Sequence, residues 1–196
     1  MTKLKHPLET PVRTITYKGV EFEVVKRPDV IWVGSVDYAQ DNSGESNIGD
    51  TLKRFQGLVD NGVVPKNKIN PDWSAALSIN YTRDDAPCGI LFGNECQSSE
   101  QDERFDVFTQ PGGLWLRVRN DKKAKKLIKR EKWFRKKICE PYKLFAGESA
   151  PLQCAARANG YMQNPNVHIQ VEYHCHAEYD TPSHTNYAYI PIIAKE

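Results

Sequence analysis

Pro111-Gly112-Gly113-Leu114-Trp115-Leu116-Arg117-Val118 sets a Pro-Gly-Gly break directly ahead of a strong strand that runs to Arg119. Residues 105–110 lead into it. After it, residues 121–139 are rich in helix formers and place Leu127, Phe134 and Ile138 on one helical face. A long irregular stretch, 140–166, carries Pro141, Pro151 and Pro165, with a short helix expected around 152–158. Residues 167–176 and 187–193 then read as two strands, joined through the turn chemistry of Asp180-Thr181-Pro182-Ser183.

The preceding half shows the same order. Residues 20–25 (Val-Glu-Phe-Glu-Val-Val) alternate as a strand does, and 30–38 are rich in β-branched and aromatic residues. A polar cluster, Asp41-Asn42-Ser43-Gly44-Glu45-Ser46, separates them from a helix. Asn47 is placed to cap that helix, Ile48, Leu52, Phe55, Leu58 and Val59 recur at helical spacing, and Gly62 closes it. Residues 75–81 and 89–96 follow as two strands. Strands, helix and two strands therefore occur twice, in element order rather than in residue identity. Neither unit can bury both faces of its sheet alone. The predicted fold is α+β: duplicated strand-helix-strand-strand units with pseudo-twofold symmetry, an antiparallel sheet with helices on one side, and a ligand cleft between the halves. The expected organisation is an N-terminal arm, 1–13, containing His6-Pro7 and Thr10-Pro11, and one domain, 14–196, with halves at about 14–100 and 101–196.

Composition narrows the function classes. At 39% hydrophobic and 10% aromatic, the 196 residues can fill a core. The apolar run 187–194 is far too short to span a bilayer, and the polar N-terminus carries no apolar stretch of signal type. Five cysteines at irregular spacing point to reduced thiols, and hence to a cytoplasmic protein. The net charge of +2 conceals a basic segment, Lys122 to Lys137, whose single acidic residue is Glu131. Such a run is usually a solvated helix face. It also fits a nucleic acid, with Trp133 free to stack on a base, or an acidic protein partner, although no helix-turn-helix or RNA-binding signature accompanies it.

Three stretches together carry a resemblance. They are the Pro-Gly-Gly strand 111–118, the closing Tyr187-Ala188-Tyr189-Ile190-Pro191-Ile192, and Val171-Glu172-Tyr173 upstream, with Glu172 seventeen positions before Tyr189. In order and spacing these resemble the GyrI-like effector-binding domains, which occur alone or fused to DNA-binding modules in multidrug-responsive transcription activators. The resemblance implies a cleft that binds bulky, cationic aromatic compounds, here as a stand-alone ligand sensor or sequestering protein with no cofactor. Glu172 takes the family's pocket-carboxylate position. Tyr187 stands where the family often has a second acid, a departure that weakens the preference for cations. Trp115 matches the aromatic after Pro-Gly-Gly, and Tyr81 falls in a strand that tends to line the cleft. Tyr38 and Tyr189 complete the expected aromatic walls.

The chemistry of such a site is charge and ring quadrupole acting together, with each shielded cation–π contact contributing roughly 0.5–2 kcal/mol. On a regular strand Glu172 and Tyr173 point to opposite faces, so only one can line the pocket; the expectation here is Glu172. A few relatives hydrolyse strained cyclopropane-containing natural products, and Glu172 with Tyr81 or Trp115 is the corresponding alternative. No serine triad, Gly-rich phosphate loop or HExxH motif is present in the sequence, so an enzyme is the less favoured class. Within His174-Cys175-His176 the two histidines share a face, with His168 on the same strand parity, but no further ligands at zinc spacing accompany them, and no metal is expected.

Overall fold

The computed structural model describes residues 6–38, 48–81, 83, 85–119, 121–127, 149–175 and 187–195. Ten strands form one sheet. The first half contributes β1 (Thr10–Tyr17), β2 (Val20–Arg27), β3 (Val30–Tyr38), β4 (Trp73–Ile79) and β5 (Gly89–Cys96). The second contributes β6 (Asp106–Gln110), β7 (Gly113–Arg119), β8 (Tyr161–Gln163), β9 (Ile169–Cys175) and β10 (Tyr187–Ala194). Their order is β1-β2-β7-β10-β9-β4-β5-β3-β6, with β8 added on β10, and every pairing between these strands is antiparallel.

The order displays the duplication. β3-β5-β4 is mirrored by β7-β10-β9, and the halves meet where β4 pairs with β9. β2, which leads into β3, pairs with β7; β6, which leads into β7, pairs with β3. The exchange closes the sheet. Only Pro28 and Asp29 separate β2 from β3, although the two strands lie near opposite ends of the sheet order. A two-residue link spans on the order of 10 Å, so the sheet must curl until its ends approach. Pro111-Gly112 makes the matching link between β6 and β7.

The links touch each other. A Cβ on Gly112 would lie 2.7 Å from the Pro28 carbonyl carbon and 2.8 Å from the Asp29 nitrogen, and the Gly112 N–H donates to Asp29 Oδ1 at 2.6 Å. Gly113 has φ of 140°, which favours glycine. The Pro-Gly-Gly break is thus the point where the two crossing ribbons bend over one another.

Curling gives the sheet an inner and an outer face. On β2, Val20, Phe22 and Val24 join the outer cluster, whereas Val25 joins the inner one. The outer face carries the helices. The helix Ile48–Asp60 packs Phe55, Leu58 and Val59 against β3 and β5, while the helix Ser149–Ala158 packs Leu152, Ala155 and Ala156 with Leu116, Ile190 and Ile192. Residues 122–127 are helical and add Ala124 and Leu127 to this layer; the rest of the basic segment lies outside the described residues, as do Asn47 and the polar cluster before it. None of the described helices is long and apolar enough to cross a membrane.

Three strands exceed the sequence reading. β1 incorporates residues 10–13, expected in the arm, because pairing with β2 orders a stretch whose own burial is slight. Asp106–Gln110 and Tyr161–Gln163 are strands because β3 and β10 offer them free edges.

Replacing Gly112 by alanine should force the two ribbons apart. A loss of about 1–3 kcal/mol is expected, the usual cost of overpacking where only backbone can yield. Urea unfolding midpoints would show it; an unchanged midpoint would remove this contact from the account of closure.

Candidate functional site

The curl turns a set of large aromatic side chains toward one another. Antiparallel register places Tyr173 opposite Tyr187 and Trp115 opposite Val25, all on the inner face. Trp73 and Tyr187 stack with ring centroids 5.8 Å apart at an interplanar angle of 9°. Tyr173 lies at the centre, with centroids 5.0 Å from Tyr189, 5.4 Å from Trp73 and 5.6 Å from Trp32. Offset and edge contacts of this kind add about 0.5–1.5 kcal/mol each beyond area burial.

Charge lies inside this aromatic shell. Arg27, the last residue of β2, shares strand parity with Val25, and its guanidinium lies 5.4 Å from the ring centroids of both Tyr173 and Tyr189 and 6.0 Å from that of Trp115. Its Nη2 donates to Glu95 Oε1 and, at 2.5 Å, to the Tyr173 hydroxyl, which in turn donates to Glu95 Oε1. Glu95 comes from β5, so this contact joins strands that are remote in sheet order. Both side chains are buried.

The N-terminal segment completes the cluster. The His6 ring lies 2.6 Å from Glu95 Oε2 through Nε2 and packs edge-on against Trp73 and Tyr173. Leu8 packs on the same core, and the Glu9 carboxylate accepts from Arg117 Nη1 and approaches Arg27 Nε at 3.7 Å. Arg117 also donates from Nε to Glu23 Oε2 at 2.8 Å. Glu9, Glu23 and Glu95 thus face two guanidinium groups, Arg27 and Arg117.

The ionised forms are held by their neighbours. Burial opposes charge on Glu95, but the His6 contact and the Arg27 charge outweigh it and lower its pKa. Burial likewise opposes the Arg27 cation, and the surrounding Tyr173, Glu95, Tyr189 and Glu9 raise its pKa nevertheless. Tyr173 and Tyr189 are pushed well above the phenol range, first by burial. Satisfaction is incomplete: among the described residues, Arg27 Nε and Nη1, Gln110 Nε2 and Glu9 Oε1 are buried without a hydrogen-bond partner. Each such buried group costs about 1–3 kcal/mol. Beside the shell, a cavity of about 280 Å³ opens between Glu21, Glu23, Arg117, Arg119, Lys123 and Tyr187.

Of the expected site residues, Trp115, Tyr187 and Tyr189 meet in the aromatic shell. Tyr81 is buried elsewhere, its hydroxyl accepting from Gln163 Nε2 on β8. Tyr38 is 43% exposed at the end of β3. Glu172 pairs in register with Ala76 and Ala188, and accepts from Gln170 Nε2 at 2.9 Å. Ala188 belongs to the outer cluster, so Glu172 and Trp115 lie on opposite faces, and it is Tyr173 that turns inward. The strand carboxylate that contacts Arg27 inside the shell is Glu95.

The sequence signals for the residues not anticipated were modest: an acid near the end of an otherwise apolar strand, and an arginine in register with core valines just before a proline. His6 and Glu9 carried none, because an arm has no periodicity that reports where it docks. Among the described residues no His/Cys/Asp/Glu group is arranged to hold a metal ion. His176 and Trp133 lie outside them.

No protein-family model matches the chain, and no curated protein matches it significantly. Solved structures do. SAV2435 bound to tetraphenylphosphonium is similar at a TM-score of 0.53 and 12% identity, over 89% of this chain and 93% of that one. A Staphylococcus aureus MU50 protein named for bacterial transcription regulation is similar at 0.52 and 14% identity, over 91% and 100%. An integron cassette protein from the mobile metagenome of Vibrio cholerae matches at 0.45 and 12% identity, over 89% and 95%. The first two show the fold alone, an α+β arrangement built on a mostly antiparallel sheet.

Two measurements test the charged cluster. Glu95→Gln and Arg27→Met should each cost about 3–5 kcal/mol, while Arg27→Met combined with Glu95→Leu should cost less than the sum, because breaking a buried pair strands one charge and removing both does not. Because the Glu95 pKa is lowered in the folded state, its contribution is present above the ordinary value of 4.5 and is lost as pH falls through the folded pKa. The wild type should therefore lose more melting temperature than Glu95→Gln between pH 5 and about pH 3; parallel curves would contradict this.

Proposed function

We propose that this protein binds bulky aromatic organic cations at the inner aromatic shell, as a ligand sensor or sequestering protein. The observation that carries the reading is the environment of Arg27: a guanidinium placed over Tyr173, Tyr189 and Trp115 and held by Glu95. The chain already uses, for one of its own side chains, the combination of ring faces and buried carboxylate that recognises an organic cation. The cavity at Tyr187 gives an approach to the shell. A protein of similar fold, SAV2435, is bound to the bulky cation tetraphenylphosphonium.

In this reading Trp115, Tyr187 and Tyr189 serve as aromatic walls, and Glu95 supplies the charge that the sequence reading assigned to Glu172. Entry requires the ligand to displace part of what fills the shell. The binding energy is then the surplus over breaking those contacts, so binding is accompanied by rearrangement.

Tetraphenylphosphonium should raise the melting temperature and quench tryptophan fluorescence, more strongly than its neutral relative triphenylphosphine oxide. Glu95→Gln should weaken the cation roughly five- to thirtyfold, corresponding to about 1–2 kcal/mol, and leave the neutral compound nearly unchanged. Glu172→Gln should leave both unchanged. Cation binding that follows Glu172 and ignores Glu95 would move the site to the other face of the sheet.

A further inference from the structure

The segment 6–9 and β1 have no counterpart in the duplicated plan, since the second half begins with β6, directly after β5. They are additions to a fold whose symmetric parts are already paired. Yet His6 is buried and the Glu9 side chain is only 3% exposed, both within the shell and both in contact with residues from distant strands. The arm delivers three chemical groups. The imidazole engages Glu95, the Leu8 side chain packs on the apolar core, and the carboxylate engages Arg117 and faces Arg27. Both groups reach the surroundings of a single guanidinium, Arg27: the carboxylate directly at 3.7 Å, the imidazole through Glu95, with His6 Nδ1 and Glu9 Oε1 3.9 Å apart.

The fit is incomplete. Arg27 Nε and Nη1 and Glu9 Oε1 stay unpartnered although buried, and so does Gln110 Nε2, whose Oε1 accepts from Trp32 Nε1 at 2.9 Å. A segment built only to fill the core would leave fewer such atoms; three of the four are donors, and the arm offers them only Glu9 Oε1, 3.7 Å from Arg27 Nε and too far for a hydrogen bond. Removing the arm would also take away one carboxylate, leaving Glu23 and Glu95 against Arg27 and Arg117. A simple cation entering that space would bring no acceptor for Arg27 or Gln110.

We infer that residues 6–9 are a tethered stand-in for the ligand, and that the ligand they stand in for is amphoteric: an aromatic body carrying a basic nitrogen for Glu95 and a carboxylate for Arg27 and Arg117. The inference rests on the proposed ligand site and narrows its ligand class. A compound that satisfies Arg27 more fully than Glu9 does would displace the arm, and the chain would bind its ligand by exchanging one occupant for another.

A matched series of benzylamine, benzoate and 4-(aminomethyl)benzoate separates the contributions in the full-length chain. Calorimetry should give 4-(aminomethyl)benzoate an affinity at least tenfold above either singly charged compound. Glu9→Gln, which weakens the arm's hold on Arg117 without emptying the shell, should tighten that compound several-fold. In the wild type, whose folding is not at issue, saturation with it should speed hydrogen exchange tenfold or more at the amides of Leu8 and Glu9. Both amides are bonded to His6, the first to Nδ1 at 3.2 Å and the second to the backbone carbonyl at 3.2 Å. Equal affinity for benzylamine and 4-(aminomethyl)benzoate, or unchanged exchange in the arm, would overturn the inference. If tetraphenylphosphonium still bound in a Glu95-dependent way, the cation site would survive that failure. Absence of binding by every probe would overturn both.

Discussion

The contact between Arg27 and Glu95 bridges two strands that the sheet order keeps far apart, and the interior of the protein is arranged around it. Taking these two charges out of water is costly, several kcal/mol per ion even after relaxation. The cost is offset only because each charge has more than one partner: Glu95 meets Arg27, His6 and Tyr173, and Arg27 meets Glu95, Tyr173 and the faces of three aromatic rings. Apolar side chains of similar size would have packed the same space at lower risk. The pair is therefore poor evidence for stability as such. In the proposed function it is a polar centre kept inside an aromatic shell for recognition.

That centre depends in turn on the crossing of the ribbons. Pro28-Asp29 and Pro111-Gly112 bring the ends of the sheet together within a few residues of Arg27 and Gln110, and Gly112 permits the close approach that a side chain would block. Curvature, closure and site thus have one geometric origin. The helices on the outer face keep part of the duplication and depart from the rest: one packs on β3 and β5, the other on the corresponding β7 and β10 and also on β8 and β1.

The same geometry relates the structure to its solved neighbours without making them equivalent. The fold is common to them at 12–14% identity, and fold sets where a cleft can form, not what fills it. Here the interior is filled by an arginine from β2 and by an N-terminal segment, and the chemistry of those occupants is a more direct guide to the ligand than architecture is.

Sequence pattern by itself determined the α+β class, the repeated order of strands and helix, and the importance of the Pro-Gly-Gly strand, because periodicity and turn residues are local properties. It also picked out Trp115, Tyr187 and Tyr189, whose strands carried recognisable motifs. It placed Glu172 in the pocket and left Tyr173 out, since alternation fixes that the two oppose each other but not which face is inner. Only the curl of the sheet decided that. Tertiary structure alone joined His6, Glu9, Arg27, Glu95 and Arg117, through contacts such as Glu9 with Arg27 and Glu9 with Arg117, the latter 108 positions apart. Local pattern marks Arg27 and Glu95 faintly and His6 and Glu9 not at all, because a buried charge is tolerated only through partners that the fold supplies from elsewhere in the chain.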